Sequence, residues 1–207
     1  MTHIGHSEKV LVMRIFITVL VLIFSLQSGT KADDIRDFEI EGMSVGDSLL
    51  DHYSINEINE ALKNPSYYKN KIFVEVFVNY KGSEFDYLQV ALQPNDKTFT
   101  IEKLMLVKDF SNKIDECKKF KEKLINDSSD FTKDSERNDN ENIVSKVDPT
   151  GNSFRSISTF FYSTGGFFNF ICSDYGQEMF EKHGWFDNFS VSVGSKKIEK
   201  FLQGDAH

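Results

Sequence analysis

The sequence predicts an α+β fold: one antiparallel sheet, or two small ones, of about six strands covered by two or three helices. Three observations predict it. "KIFVEVFVNY" alternates strictly, with Ile72, Val74, Val76, Val78 and Tyr80 on one side and Phe73, Glu75, Phe77 and Asn79 on the other. Ser111 to Asn126 repeats apolar residues at helical spacing, with Ile114, Cys117, Phe120 and Leu124 on one face. Strand and helix signals also follow one another without the βαβ rhythm of a parallel sheet.

Taken in order, Phe38 to Glu41 is a short opening strand. Ser54-Ile55-Asn56-Glu57 has capping-box spacing, and Ile58, Ala61 and Leu62 follow on one helical face. Pro65 stops that helix. After the strand at 72–80, "FDYLQVALQ" places Leu88, Val90 and Leu92 on one face, "PNDK" is a turn and "TFTIEKLMLV" is the third strand. Residues 127–150, "DSSDFTKDSERNDNENIVSKVDPT", are polar and acidic and read as a mobile loop. Beyond them, "RSISTFFYS", "GFFNFICS" and "NFSVSVGS" read as three more strands, the first two joined by a hairpin at Thr164-Gly165-Gly166. A helix from Lys196 to Leu202 ends the chain. Three strands then a helix occur twice, a rhythm that suits an internal duplication, although residue identity between the halves is negligible.

The N-terminus has the order of a secretory signal. Lys9 and Arg14 precede a run from Ile15 to Leu26 that is apolar except for Thr18 and Ser25. Thr30 and Ala32 stand where small residues precede a cleavage point. The run is 12 residues long, against about 20 for a spanning helix. Residues 1–32 are therefore expected as a leader cleaved after Ala32, and 33–207 as a single exported domain, with retention as an anchor the alternative. Of 24 basic and 32 acidic residues the leader removes three and one, which takes the net charge from −8 to −10. Such a surface repels nucleic acid and anionic lipid. Two cysteines in an exported chain suggest one disulfide, Cys117–Cys172, because alternation points Cys172 to the same side as Phe168 and Phe170. The alternative is a pair of buried thiols.

Gly46-Asp47-Ser48-Leu49 spells the nucleophile block of a serine hydrolase family. A serine nucleophile needs a base and an orienting acid, and that family supplies them in an Asp-x-x-His pair that this chain lacks. Past the leader the histidines are His52, His183 and His207. His52 follows Ser48 by four residues, His183 follows Glu181-Lys182 in a Gly-bounded loop, and His207 is terminal. The capping reading explains the same residues: Ser44 or Asp47 starts a short helix that buries Val45, Leu49, Leu50 and Tyr53. No catalytic residue is assigned, and hydrolysis through Ser48 stands as the alternative.

The surrounding stretch, "DFEIEGMSVGDSLLDHYSINEINEAL", resembles the mature N-terminus of small exported proteins from AT-rich, SAR11-like marine alphaproteobacteria. They begin with a similar Ile-Glu-Gly-x-Ser-x-Gly-Asp-Ser-Leu-Leu-Asp run, here Ile40 to Asp51, with a looser likeness near "NKIDECKKF". Abundant Lys, Asn, Ile and Phe with four Arg suit the same source. The resemblance implies export, hence a periplasmic location, and a shared fold. It transfers no catalytic residue.

Three scattered histidines and two core cysteines do not make a zinc site, and the acidic loop lacks calcium-loop spacing. No metal or cofactor is expected. The remaining candidate is aromatic: from Phe160 to Phe189 the chain carries eleven rings. Adjacent pairs such as Phe160-Phe161, Phe167-Phe168 and Trp185-Phe186 must point to opposite sides of a sheet. Either helices cover both faces, or a patch near Tyr162, Phe167 and Trp185 binds a partner protein or envelope component.

Overall fold

A computed structural model describes residues 34–68 and 70–204. The segment expected as a leader, its expected cleavage point and His207 lie outside the described residues. Among the described residues, ten strands and five α-helices follow one another as β1 (Glu39–Ile40), β2 (Met43–Ser44), α1 (Ile55–Ala61), β3 (Ser66–Tyr67), β4 (Val74–Val78), β5 (Tyr87–Leu92), β6 (Lys103–Asp109), α2 (Ile114–Asp127), α3 (Ser129–Thr132), β7 (Glu136–Val144), β8 (Phe154–Phe161), β9 (Phe167–Asp174), α4 (Gln177–His183), β10 (Asn188–Gly194) and α5 (Lys196–Gly204). Single 3-10 turns at Ile35–Asp37 and Leu49–Asp51 complete them.

β1 and β2 form a small hairpin, and the other eight strands form one sheet in the order β3-β4-β5-β6-β10-β9-β8-β7. Every pairing is antiparallel. The sheet is two four-strand meanders joined through β6 and β10. Six expected strands become eight because β3 and β7 add one strand to each edge. A two-fold through the joint would leave the helix after β6 and the helix after β10 on one face. Instead α2 packs on β9 and β10 at one face, while α5 lies on the other against Phe73, Ala91 and Phe167. The repeated rhythm is thus not a simple two-fold duplication.

The first face is the main core. Val74, Val76, Leu88, Val90, Leu104, Leu106, Phe168, Phe170, Phe189 and Val193 bury against α2 and the N-terminal segment. Ser54 caps α1, accepting from the Glu57 N–H at 3.3 Å, while the Glu57 carboxylate accepts from the Ser54 N–H at 2.8 Å. Cys117 and Cys172 are joined, with Cα atoms 6.0 Å apart, so the staple between helix and sheet is present. The Tyr162–Gly166 turn links β8 and β9. Gly166 has φ +94°, and a Cβ there would meet Ile35 at 2.7 Å and the Gly194 carbonyl at 2.8 Å, so only glycine fits.

Residues 127–150, expected as a mobile loop, instead hold the end of α2, α3 and the nine-residue edge strand β7. The strand needs no apolar face because its backbone pairs with β8 and its side chains are anchored individually. Lys121, on the buried side of α2, donates to Glu141 Oε1 at 2.8 Å, and the Arg137 guanidinium lies over the Phe160 ring at 5.5 Å. The turn back to β8 is organised by Asp148, which accepts from the Thr150 N–H at 2.8 Å and from Ser153 Oγ at 2.6 Å.

Candidate functional site

The second face of the sheet is unequally covered. Its upper row runs Glu75, Ala91, Lys103, Gly194, Phe167 and Phe161 across β4 to β8, and α5 buries this end through Ile198 and Phe201. Within it Tyr68 Oη donates to Glu75 Oε1 at 2.6 Å, and Lys103 Nζ donates to the same oxygen. Burial pushes the Glu75 carboxyl up, but the Lys103 charge and the two hydrogen bonds outweigh it, so its pKa is lowered. Burial likewise opposes the charge on Lys103, yet Glu75 raises its pKa overall. Burial raises Tyr68 to about 12. This is a closed ion pair that ties β3 and β4 to the sheet centre.

Two rows further down the same face has no helix over it. Phe77 on β4 and Tyr87 on β5 are 54% and 44% exposed. Their rings meet edge to face with centroids 6.0 Å apart. The loop after α4 brings Phe186 to 6.4 Å from Tyr87. Trp185, 38% exposed, packs at 5.4 Å from Tyr175 and 5.0 Å from His183. Arg155 Nη2 donates to Tyr175 Oη at 3.4 Å. Gly184 permits the loop: it ends α4 at φ +68° with its N–H on the Phe180 carbonyl. Large rings with polar tips on an open face, beside hydrogen-bonding groups, are the composition of a recognition surface.

The three residues singled out in the sequence are not brought together. Tyr162 is buried against Phe38, 5.3 Å between centroids, and donates to the Phe131 carbonyl. Phe167 is buried under α5. Trp185 alone is exposed. Alternation places Phe160 and Phe168 on the first face and Phe161 and Phe167 on the second, as adjacent rings require. Phe77 and Tyr87 were missed because they lie outside the aromatic-rich second half. Their signal was present: Phe77 sits on the side of its strand that carries Glu75 and Asn79, away from the valines.

Ser48, not the expected Ser44 or Asp47, is the N-cap of the 3-10 turn, accepting from the Leu50 N–H at 3.2 Å and donating to the Thr98 carbonyl at 2.6 Å, while Asp47 accepts from the Ser44 N–H instead. Val45, Leu49 and Tyr53 are buried as the capping reading requires, but Leu50 is exposed. His52 Nε2 faces Asp47 Oδ2 at 4.0 Å, not the serine. A second serine, Ser156, sits beside the Lys121 amine, a pairing that some hydrolases use. Here Glu141 accepts from both, its pKa lowered because these two bonds outweigh burial, and Ser156 is buried beneath α2. An apolar cavity of about 30 Å³ lined by Phe38, Ile40, Leu106 and Val193 is far smaller than a ligand pocket, which takes roughly 300–1,000 Å³. Among the described residues no group of three His, Cys, Asp or Glu could hold a metal, and no helix is long and apolar enough to cross a membrane.

Comparison of the chain with protein-family models, with curated proteins and with solved structures returns no match.

Proposed function

We propose that the chain is an exported periplasmic binding module without a catalytic step, which engages a partner protein or envelope component at the aromatic end of its open sheet face. The observation that carries the reading is the exposed Phe77–Tyr87 pair, left uncovered on a face whose other end α5 buries. Two adjacent rings on rigid strands offer contact area at low entropic cost, which is how binding hot spots are built. Export rests on the N-terminal leader pattern, and the Cys117–Cys172 disulfide suits an oxidising compartment. The net acidic surface favours a neutral or basic partner.

The test is crosslinking of tagged protein in intact cells, comparing the natural chain with a Phe77→Ser/Tyr87→Ser variant that keeps its circular dichroism spectrum. A defined adduct with the natural chain that disappears with the variant is the expected result. Identical adducts from both would sink the reading. So would turnover of short-chain nitrophenyl esters that vanishes in Ser48→Ala.

A further inference from the structure

The two edges of the sheet differ. β3 closes one edge with two residues, whereas β7 runs nine, all exposed. Its side chains are held from one side only: Lys121 grips Glu141, Lys118 reaches Asn142 at 3.1 Å, and Arg137 rests on Phe160. The outer rim of such a strand is a row of backbone donors and acceptors that another strand can pair with. The regular part is Glu136 to Asn140, since the β8 register shifts between Asn140 and Ile143.

From this edge we propose that two copies of the chain associate through antiparallel pairing of β7 with β7, centred on Asn138. Charge chooses both the partner and the register. Pairing that keeps like faces together must be centred on a single residue. Centring on Arg137 opposes two arginines. Centring on Asp139 opposes two aspartates. Centring on Asn140 sets Asp139 against Glu141. Only Asn138 leaves no like charges opposed: Arg137 then faces Asp139 of the second copy, Asp139 faces its Arg137, and the two Asn138 amides meet. Arg137 and Asp139 already lie 2.9 Å apart within one chain, with side chains 41% and 45% exposed, so the second copy extends a formed pair into a four-charge ladder. Beyond the regular stretch, Ile143, Val144 and Phe154 are exposed near the same edge, adding apolar surface that a second copy covers. The charges thus bar wrong registers and admit one. The assembly is a continuous sheet whose two open faces point the same way.

Sedimentation equilibrium of the natural chain over about 10–500 μM, the range in which a small interface associates, tests this. The expected result is a monomer–dimer equilibrium. Arg137→Asp and Asp139→Arg each place like charges opposite one another and weaken association by about tenfold or more. The double variant R137D/D139R restores the ladder and the dimer. Asn138→Arg, which leaves the Arg137–Asp139 pair of each chain intact, also weakens it. A natural chain that stays monomeric throughout overturns the proposal, as do single reversals that dimerise as tightly as the natural chain.

Discussion

Lys103 and Glu75 show how one ion pair can govern a region of the sheet. Lys103 is buried and Glu75 is largely covered, and Tyr68 donates to the carboxylate oxygen that Lys103 also holds. Breaking a buried pair strands the surviving charge. Lys103→Ala is expected to lower stability by about 3–5 kcal/mol in urea unfolding, and the double variant E75Q/K103M to recover most of that loss. The pH dependence follows from the two shifts. Glu75 is lowered, so its contribution is complete above about pH 5 and is lost as pH falls through its folded value. Lys103 is raised, so its contribution is complete below about pH 10 and is lost as pH rises through its folded value. The pair's contribution to the melting temperature should therefore be flat between those limits, and the acid limb of the profile should be shallower in E75Q/K103M; an unchanged limb would refute the assignment. The cap at Ser54 was legible because it depends on residue type and local spacing, whereas the one at Ser48 was expected at Ser44 or Asp47 and fell one residue beyond Asp47. Lys103 was not legible, because a lysine in "IEKLMLV" looks solvent-facing until Glu75, 28 residues earlier, arrives on the same face. At Ser48, a cap that spends its hydroxyl on Thr98 predicts that Ser48→Ala costs about 1 kcal/mol by thermal unfolding.

Elements divide into those whose pattern declares them and those held by a neighbour. β4, β5, β8, β9 and β10 were legible because their alternation matches a buried face. The disulfide was legible too, since helical spacing and alternation aim Cys117 and Cys172 at one another. Replacing both by Ala is expected to lower stability by about 2–4 kcal/mol, read from urea midpoints under non-reducing conditions; an unchanged midpoint would contradict the staple. β7 escaped detection because polar composition was read as absence of structure. A turn signal stood beside it, Asp148-Pro149-Thr150-Gly151 between Val144 and Phe154, and that chemistry closes the hairpin. α4 was read as a loop around His183, since its seven residues bury only Met179 and give little periodicity. Lys121→Met removes the anchor of β7 at Glu141, and faster amide exchange across Glu136–Val144 should follow, with β5 and β10 unchanged; equal exchange would mean the ladder alone holds the strand.

At the scale of the whole molecule, the two faces of one sheet are covered differently. The first is closed by α2 and the N-terminal segment, stapled by the disulfide and capped at Ser48 and Ser54. The second is closed at one end by α5 and open at the other, where Phe77, Tyr87, Phe186 and Trp185 gather from separate parts of the chain. No stretch of sequence contains that surface, because strand register and the loop after α4 assemble it. The central claim is that this open end, and not the closed face, meets the partner. Site-specific incorporation of a photo-crosslinking residue at position 87, with position 55 on the exposed side of α1 as the control, tests it most directly in living cells. An adduct formed from position 87 and absent from position 55 is the predicted result; equal adducts from both positions, or adducts from position 55 alone, would contradict it.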